Sequence, residues 1–210
     1  MDAPRPDPAS GQYFDPRPAA ASAEREVEVI LPEGALLRFV TDRATFSPDR
    51  LDPGTRVLLA EAPAPAGTTL ADVGCGWGAL TVALARRAPE ATVWAVDVNE
   101  RARALCRLNA DRLGVGDRVR VVAPEEVPDD LAVDTIWSNP PIRIGKAALH
   151  DLLATWLGRL RPGGTAELVV HRHLGADSLA RWLAGGGRAV TRRATHGGYR
   201  VLAVRAGAPA

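Results

Sequence analysis

The segment "ADVGCGWGAL", residues 71–80, is the strongest indication of the fold in this sequence. A short apolar run leads into three glycines spaced G-x-G-x-G, Gly74, Gly76 and Gly78, and a helix-forming run of small and apolar residues follows. Glycine permits a tight turn and lets a ligand approach the backbone, and the first N–H groups of a helix have no partners within that helix. The segment therefore predicts a strand, a ligand-binding turn and a helix.

An acid at the end of the next predicted strand favours a ligand with a ribose. Asp97 lies near the end of "TVWAVDV" and follows Gly74 by 23 residues. A carboxylate at that place can accept hydrogen bonds from both hydroxyls of a ribose. The alternative is that Asp97 only caps the helix that begins near Asn99. The loop alone would also suit NAD or FAD, although their fingerprint is spaced G-x-G-x-x-G.

Strands and helices alternate outward from this loop. Predicted strands cover 69–75, 92–98, 118–123, 133–139, 165–170, 188–194 and 198–206, and predicted helices cover 78–90, 99–114, 146–160 and 176–186. Five strands that alternate with helices predict a parallel sheet covered on both faces, and the final hairpin makes the last strand antiparallel. The "RPGG" turn at 161–164 is expected to stop a helix before the fifth strand.

The first third of the chain has a different pattern. The segments "EREVEVILPEG" and "ALLRFVTD", residues 24–42, predict a β-hairpin, and Asp49 or Asp52 is a candidate cap for a short helix. Residues 1–22, rich in Pro, Ala and Asp, are expected to lack regular structure. The predicted organisation is an N-terminal arm (1–22), an extension (23–68) and an α/β domain (69–210).

Composition and charge narrow the class of protein. The 210 residues are 46% apolar and 24% charged, as in a soluble globular protein, and no apolar run approaches the roughly 20 residues of a membrane span. The N-terminus lacks an apolar signal core, and the two cysteines have no ligand-like spacing, which favours a cytoplasmic protein with reduced thiols.

Residues 138–210 carry 11 basic and 3 acidic side chains, against 15 and 22 in residues 1–137. This uneven distribution of charge predicts a basic surface that faces phosphates. The alternative is that these arginines lie on solvent-exposed faces of the late helices and strands.

The glycine loop, with Asp72 two residues before Gly74, resembles motif I of the class I S-adenosylmethionine (SAM) methyltransferases, D-x-G-x-G-x-G. The resemblance implies a Rossmann-like fold: a seven-stranded, mostly parallel sheet of order 3-2-1-4-5-7-6 with an antiparallel last strand. It implies SAM as cofactor, with Asp72 near the methionine ammonium and Asp97 on the ribose. The residues expected to bind SAM are Asp72, Gly74, Cys75, Gly76, Trp77, Gly78, Asp97, Val98, Phe46 and Ser47.

A second segment, "WSNPPIRIGK" at 137–146, ends a predicted strand with an asparagine and two prolines. Proline lacks an N–H donor and has a fixed φ, so the pair stops the strand where ligands bind in such sheets. An exocyclic amine is a poor nucleophile because its lone pair is delocalised. The Asn139 amide oxygen and the Pro140 carbonyl can accept its two N–H bonds and aim the lone pair at the sulfonium methyl. The alternative is a plain strand–turn stop.

The pattern NPP[FYW] is typical of methyltransferases that act on planar amines, namely adenine N6, guanine N2 or glutamine N5. Asn139, Pro140 and Pro141 match it, whereas Ile142 stands where an aromatic ring would stack on the target. Tyr13, Phe14 or Phe46 are candidates for supplying a ring from elsewhere. Arg143 and Lys146 are expected to hold phosphates beside a flipped nucleotide or to be ordinary surface residues.

The lead-in to motif I is similar to the "F-S-x-x-x-x-D-x-G-x-x-L-L" pattern of the RsmC-like small-subunit rRNA guanine-N2 methyltransferases. The matching residues are Phe46, Ser47, Asp52, Gly54, Leu58 and Leu59. The resemblance implies a SAM-dependent methyltransferase for guanine N2 of small-subunit ribosomal RNA, with that RNA or the small ribosomal subunit as partner. The alternatives are a methyltransferase for a protein glutamine or a small-molecule amine, and a SAM-binding RNA partner without catalysis. No metal site is expected, because His171 and His173 have no third ligand at suitable spacing.

Overall fold

The computed structural model of the protein describes residues 23–43 and 45–206. The N-terminal arm, with Tyr13 and Phe14, therefore lies outside the described residues. None of the helices in the described part of the chain has the length and apolar character of a membrane span.

The described chain contains nine strands and five α-helices, each numbered in chain order. The strands are β1 (Glu24–Ile30), β2 (Leu36–Asp42), β3 (Thr69–Val73), β4 (Thr92–Val96), β5 (Val119–Val122), β6 (Val133–Ser138), β7 (Leu160–His171), β8 (Ala189–His196) and β9 (Tyr199–Arg205). The helices are α1 (Pro53–Glu61), α2 (Ala79–Arg87), α3 (Glu100–Arg112), α4 (Lys146–Gly158) and α5 (Ala176–Gly185).

Seven strands form one sheet of order β5-β4-β3-β6-β7-β9-β8. The strands from β5 to β7 in this order are parallel to one another. Strand β9 runs antiparallel to both β7 and β8. This is the order that the resemblance implies, and the predicted fold class is confirmed. The β-hairpin is also confirmed: β1 and β2 pair as a separate antiparallel ribbon.

The inner parallel strands are covered on both faces, which explains why β3 and β4 are mostly apolar, whereas the edge strand β8 is largely exposed. One buried cluster joins the hairpin, α1, α2 and α3 to the sheet, with Phe39, Leu58 and Trp137 fully buried. The other cluster joins α4 and α5 to the opposite face. The N-terminal hairpin thus shares a core with the α/β sheet.

The predicted boundaries agree with the structure within three residues except at the start of the fifth strand, which lies five residues earlier than predicted. The "RPGG" segment, residues 161–164, was expected to be a turn before the fifth strand, yet β7 already begins at Leu160. Its pairing with β6 shifts register between Val133 and Thr135, which accommodates the segment as an irregularity within the strand. Gly163 has φ +81°, a backbone conformation that favours glycine.

Candidate active site

A cavity of about 370 Å³ lies where the carboxyl ends of the parallel strands meet. The residues that follow β3, β4 and β6 line it, as do His171 at the end of β7 and Tyr199 at the start of β9. Because β9 is antiparallel, its first residue reaches the same edge, and Tyr199 pairs with His171. Ligands of open α/β sheets bind at this edge.

The glycine loop forms one wall of the cavity. Gly74 and Gly76 line it with φ of +79° and +53°, and an added Cβ on Gly76 would meet nothing within 4 Å. The loop is held by the end of β4, since the N–H groups of Gly74 and Cys75 donate to the Val96 carbonyl. These observations fit a ligand that lies directly on the loop backbone, as SAM would.

Gly78 has a different task from the other two glycines. It precedes α2 with φ +96°, does not line the cavity, and a Cβ there would come within 3.0 Å of the Cys106 sulfur. Gly78 therefore allows close packing between α2 and α3.

Cys75 lines the cavity but is buried, and its neighbour Cys106 together with that burial raises the pKa of the Cys75 thiol.

Asp97 is well placed to bind two hydroxyls. It lines the cavity and is half-buried, and its carboxylate accepts hydrogen bonds from the N–H groups of Gly76 and Asn99, each at 2.9 Å. Burial raises the pKa of Asp97, and these two N–H groups oppose the shift. A carboxylate has about four acceptor positions, so capacity remains for a ribose. The helix cap of α3 is Asn99, which accepts from the Ala102 N–H, and not Asp97.

Asp72 is fully buried beneath the loop and is not among the residues that line the cavity. Thr81 donates its hydroxyl to Asp72 Oδ2 at 2.6 Å, and Oδ1 has no hydrogen-bond partner among the described residues. Burial raises the pKa of Asp72 to about 7. A contact between Asp72 and the methionine ammonium of SAM stays a prediction, and the orphaned Oδ1 is the atom available for it.

The remaining residues expected to bind SAM surround the loop. Phe46, Ser47 and Val98 line the cavity, and both Phe46 and Val98 are exposed. Trp77 also lines it but is buried, because its ring packs edge-on against Phe39 at 5.0 Å between centroids. The Trp77 indole N–H donates to the Phe46 carbonyl at 3.2 Å. This hydrogen bond joins the lead-in segment to the glycine loop.

The Asn-Pro-Pro turn forms the opposite wall. Asn139, Pro140, Pro141 and Ile142 all line the cavity directly after β6. The Pro140 carbonyl accepts the Ile142 N–H at 2.8 Å, so this carbonyl keeps one further acceptor position for a substrate. The turn is therefore held by a hydrogen bond within itself as well as by the rigidity of its prolines.

The Asn139 amide is anchored from outside the turn. Its Nδ2 donates to Asp52 Oδ1 at 2.7 Å and to Thr55 Oγ1 at 3.0 Å. Both N–H bonds are thus used, and Oδ1 makes no hydrogen bond within the described chain. An amide whose nitrogen is fixed in this way presents its oxygen as an acceptor.

The cavity wall also includes polar residues that were not predicted as site residues. Thr55, His171 and Tyr199 line the cavity, and the rings of His171 and Tyr199 meet edge-on with centroids 4.8 Å apart. Burial raises the pKa of Tyr199, and the charge of Asp52 raises it further. Gly54 in the lead-in motif was a signal for this arrangement, because a Cβ there would lie 2.9 Å from the Tyr199 ring.

The two predicted phosphate contacts lie in different places. Arg143 lines the cavity, whereas Lys146 is exposed as the first residue of α4 and does not line it. Several other arginines of the basic final third have partners within the protein, namely Arg159, Arg161, Arg192, Arg193 and Arg200. These arginines already have partners, so fewer basic side chains than the sequence suggested are free to bind a ligand.

Comparison with known proteins finds one family model and several related sequences. Residues 36–203 match the family model described as methyltransferase small domain. The uncharacterized protein YbxB of Bacillus subtilis (strain 168) is 30% identical over 174 residues, which cover 80% of this chain and 85% of that protein. The ribosomal RNA small subunit methyltransferase C of Shewanella pealeana is 34% identical over 141 residues, which cover 64% of this chain and 40% of that enzyme.

A solved structure shares the fold. The T. thermophilus 16S rRNA N2 G1207 methyltransferase (RsmC), in complex with AdoMet and guanosine, superposes with a TM-score of 0.72 at 24% identity. The match covers 88% of this chain and 51% of that chain. The chain thus spans about half the length of this enzyme and 40% of the Shewanella pealeana enzyme.

Proposed function

Because the chain belongs to the methyltransferase small domain family, whose cofactor is SAM, we propose that it methylates guanine N2 in small-subunit ribosomal RNA. The observation that carries this proposal is the Asn139 amide, which lines the cavity with its nitrogen bound to Asp52 and Thr55 and its oxygen left as an acceptor. The names of the Shewanella and Thermus relatives support the choice of ribosomal RNA.

The glycine-loop side of the cavity would hold SAM, which would supply the methyl group of its sulfonium and, as the S–CH3 bond breaks, leave as S-adenosylhomocysteine. Gly74 and Gly76 leave the loop backbone open to it, and Asp97 has acceptor capacity for its ribose hydroxyls. The exposed side chains of Phe46 and Val98 add apolar surface at the same wall. These residues bind and orient the cofactor, and none of them has to exchange a proton.

The Asn-Pro-Pro side would hold the nucleophile. Asn139 Oδ1 and the remaining acceptor position of the Pro140 carbonyl accept the two N–H bonds of the exocyclic amine. These hydrogen bonds orient the amine and favour the pyramidal geometry that frees its lone pair, which is preorganisation. No strong general base is needed, because the positively charged product amine loses its proton readily.

The walls beside Asn139 suit a planar base. Ile142 offers apolar contact in place of the usual ring, while Tyr199 and His171 line the same cavity from β9 and β7. Stacking of a base on an aromatic ring contributes about 1–3 kcal/mol. We assign the missing aromatic surface to Tyr199, with the exposed ring of Phe46 as the other candidate. Arg143 at the cavity wall and Lys146 on α4 would contact phosphates of the flipped nucleotide.

Methyl-labelled SAM tests the proposal. The protein is incubated with the label and with separate ribosomal RNA, transfer RNA, protein and metabolite fractions from cells that lack it. Label in small-subunit RNA is expected with the wild type. The Asn139→Ala variant is run in parallel and is expected to lose this label. Label in protein or metabolites would instead indicate a glutamine or small-molecule amine as substrate. SAM binding without transfer to any fraction would indicate a non-catalytic RNA partner.

A further inference from the structure

We propose that Asp52, in the extension before the sheet, is a positioning residue that sets which atom of the Asn139 amide faces the substrate. The inference deepens the proposed function and rests on it for its kinetic consequences. Asp52 and Asn139 are 87 residues apart in the chain, yet Asn139 Nδ2 lies 2.7 Å from Asp52 Oδ1. Asp52 also lines the cavity.

The chemistry of the pair fixes the amide orientation. An ionised carboxylate only accepts hydrogen bonds, so the amide atom 2.7 Å from Asp52 Oδ1 has to be the nitrogen. A flipped amide would place two oxygens against each other and would present N–H groups to a substrate amine that itself brings N–H groups. Thr55 Oγ1 receives the second Nδ2 hydrogen at 3.0 Å. With both hydrogens bound, the amide has one favourable orientation.

The carboxylate is itself held rigidly. Asp52 Oδ1 also accepts the Thr55 N–H at 2.9 Å, which makes Asp52 the N-cap of α1. An added Cβ on Gly54 would lie 3.0 Å from the same oxygen, so the absent side chain at this position gives the carboxylate its room. The helix cap and the amide anchor are therefore one atom, and the lead-in motif D-x-G has a role in the reaction.

The surroundings make the contact a strong one. Thr55 is buried, and the Tyr199 ring lies beside Gly54 and within the electrostatic influence of Asp52. A hydrogen bond to an ionised acceptor is about twice as strong as one between neutral groups, and the half-buried position of Asp52 and Asn139 limits competition from water. Loss of the carboxylate would leave the amide free to rotate between two orientations, of which one blocks the amine.

Asp52→Ser separates the two tasks of the carboxylate. Serine is as good an N-cap as aspartate, so α1 keeps its cap, but its shorter side chain does not reach Asn139. Asp49→Ser is the matched control in the same loop, because Asp49 is exposed, lies outside the cavity and pairs only with Arg25 among the described residues. Asp52→Asn is the conservative variant, since its amide oxygen can receive the same hydrogen bonds without the charge.

The first measurement needs no substrate. In ¹⁵N-labelled protein the Asn139 NH₂ signals, assigned by their loss in Asn139→Ala, are expected to be shifted and slow to exchange with solvent. Asp52→Ser should move them to the values of a free amide, and Asp49→Ser should leave them unchanged. Unchanged Asn139 signals in Asp52→Ser would overturn the proposal whether or not ribosomal RNA is the substrate.

The second measurement is a double-mutant cycle on methyl transfer. We expect Asp52→Ser to lower kcat roughly 10- to 100-fold, with the Kd for SAM unchanged, and Asp52→Asn to recover part of the loss. Adding Asp52→Ser to Asn139→Ala should cost little more, because both act through one amide. Fully multiplicative losses would overturn the positioning role. If the wild-type protein transfers no methyl group to RNA, the proposed function fails, and the amide signals alone decide this inference.

Discussion

Asn109 binds Val40 through both ends of its side-chain amide. Its Oδ1 accepts the Val40 N–H and its Nδ2 donates to the Val40 carbonyl, each at 2.8 Å, and Nδ2 also donates to the Trp77 carbonyl at 2.8 Å. One fully buried side chain on α3 thereby joins the edge of the N-terminal hairpin to the glycine loop. The hairpin is thus part of the scaffold that positions the glycine-loop wall of the cavity.

Asn109→Ala should therefore destabilise the whole protein. Three buried backbone groups would lose their partners, and we expect the free energy of unfolding to fall by about 3–4 kcal/mol. Urea denaturation measures this directly. Arg112→Ala on the same helix, where an exposed ion pair with Glu26 is lost, should change it by less than about 1 kcal/mol. A similar small loss for Asn109→Ala would contradict the role of Asn109.

The buried Asp72 predicts how stability depends on pH. Its pKa is raised from 3.8 to about 7 by burial, so the native protein binds this proton more tightly than the unfolded chain does. The stability that protonated Asp72 contributes is complete below about pH 4 and is lost as the pH rises through about 7. Asp72→Asn lacks this titration.

Denaturation of wild-type protein and Asp72→Asn at several pH values between 4.5 and 8 checks the prediction. The difference in free energy of unfolding should shift in favour of the variant, by a few kcal/mol, as the pH rises. Asp117→Asn, at an exposed position, should leave the pH dependence of the wild type unchanged. A difference between wild type and Asp72→Asn that stays constant with pH would exclude a raised pKa for Asp72.

Arg193 predicts that part of the basic final third is structural. It makes two hydrogen bonds, at 3.0 and 2.6 Å, to the carboxylate of Glu167, whose side chain is 1% exposed. Arg193→Ala leaves the buried Glu167 carboxylate without this partly exposed partner and should cost about 2–3 kcal/mol in the free energy of unfolding. Arg192→Ala breaks only the exposed pair with Asp177 and should cost at most about 1 kcal/mol.

A double variant completes this test. Adding Glu167→Gln to Arg193→Ala removes the unpaired charge and should restore part of the lost stability. Thermal or urea denaturation gives all the values. If Arg193→Ala were as mild as Arg192→Ala, Arg193 would not be needed for the fold and would be available to bind phosphate.

The sequence predicted the fold well because its signals are local. The inner strands β3 and β4 are short, mostly apolar runs, and the turns after β3 and β6 carry glycine or proline. The order of the strands came from the resemblance to a known family. The start of β7 at Leu160 was missed, because a Pro-Gly-Gly segment normally ends a strand and in this fold lies within an irregular one.

The site was predicted less completely, for reasons of distance along the chain. Asp97 and Asn139 follow strands, so the edge of the sheet where they lie was predictable. The bond between Asp52 and Asn139 spans 87 residues, and Tyr199 reaches the cavity only because β9 is antiparallel to β7. The buried position of Asp72 behind the loop depends on how α2 packs, which no local pattern records.

Arg143 is the basic residue for which a contribution to RNA binding is easiest to measure. It lines the cavity, whereas Arg181 is exposed on α5 and lies outside it. Arg143→Ala should weaken binding of a small-subunit RNA fragment and lower the slope of log Kd against log salt by about one. Arg181→Ala is the control, with an unchanged slope. An unchanged slope for Arg143→Ala would show that Arg143 contacts no phosphate.

The identity of the methylated nucleoside shows whether the protein transfers the methyl group to guanine N2. Small ribosomal subunits from cells that lack this protein are incubated with SAM and either the wild type or Asn139→Ala, and their RNA is digested and examined by mass spectrometry. N2-methylguanosine is expected with the wild type, and its rate of formation should fall at least about 100-fold with the variant. A methyl group on another atom, or N2-methylguanosine formed equally fast without the Asn139 amide, would contradict this expectation.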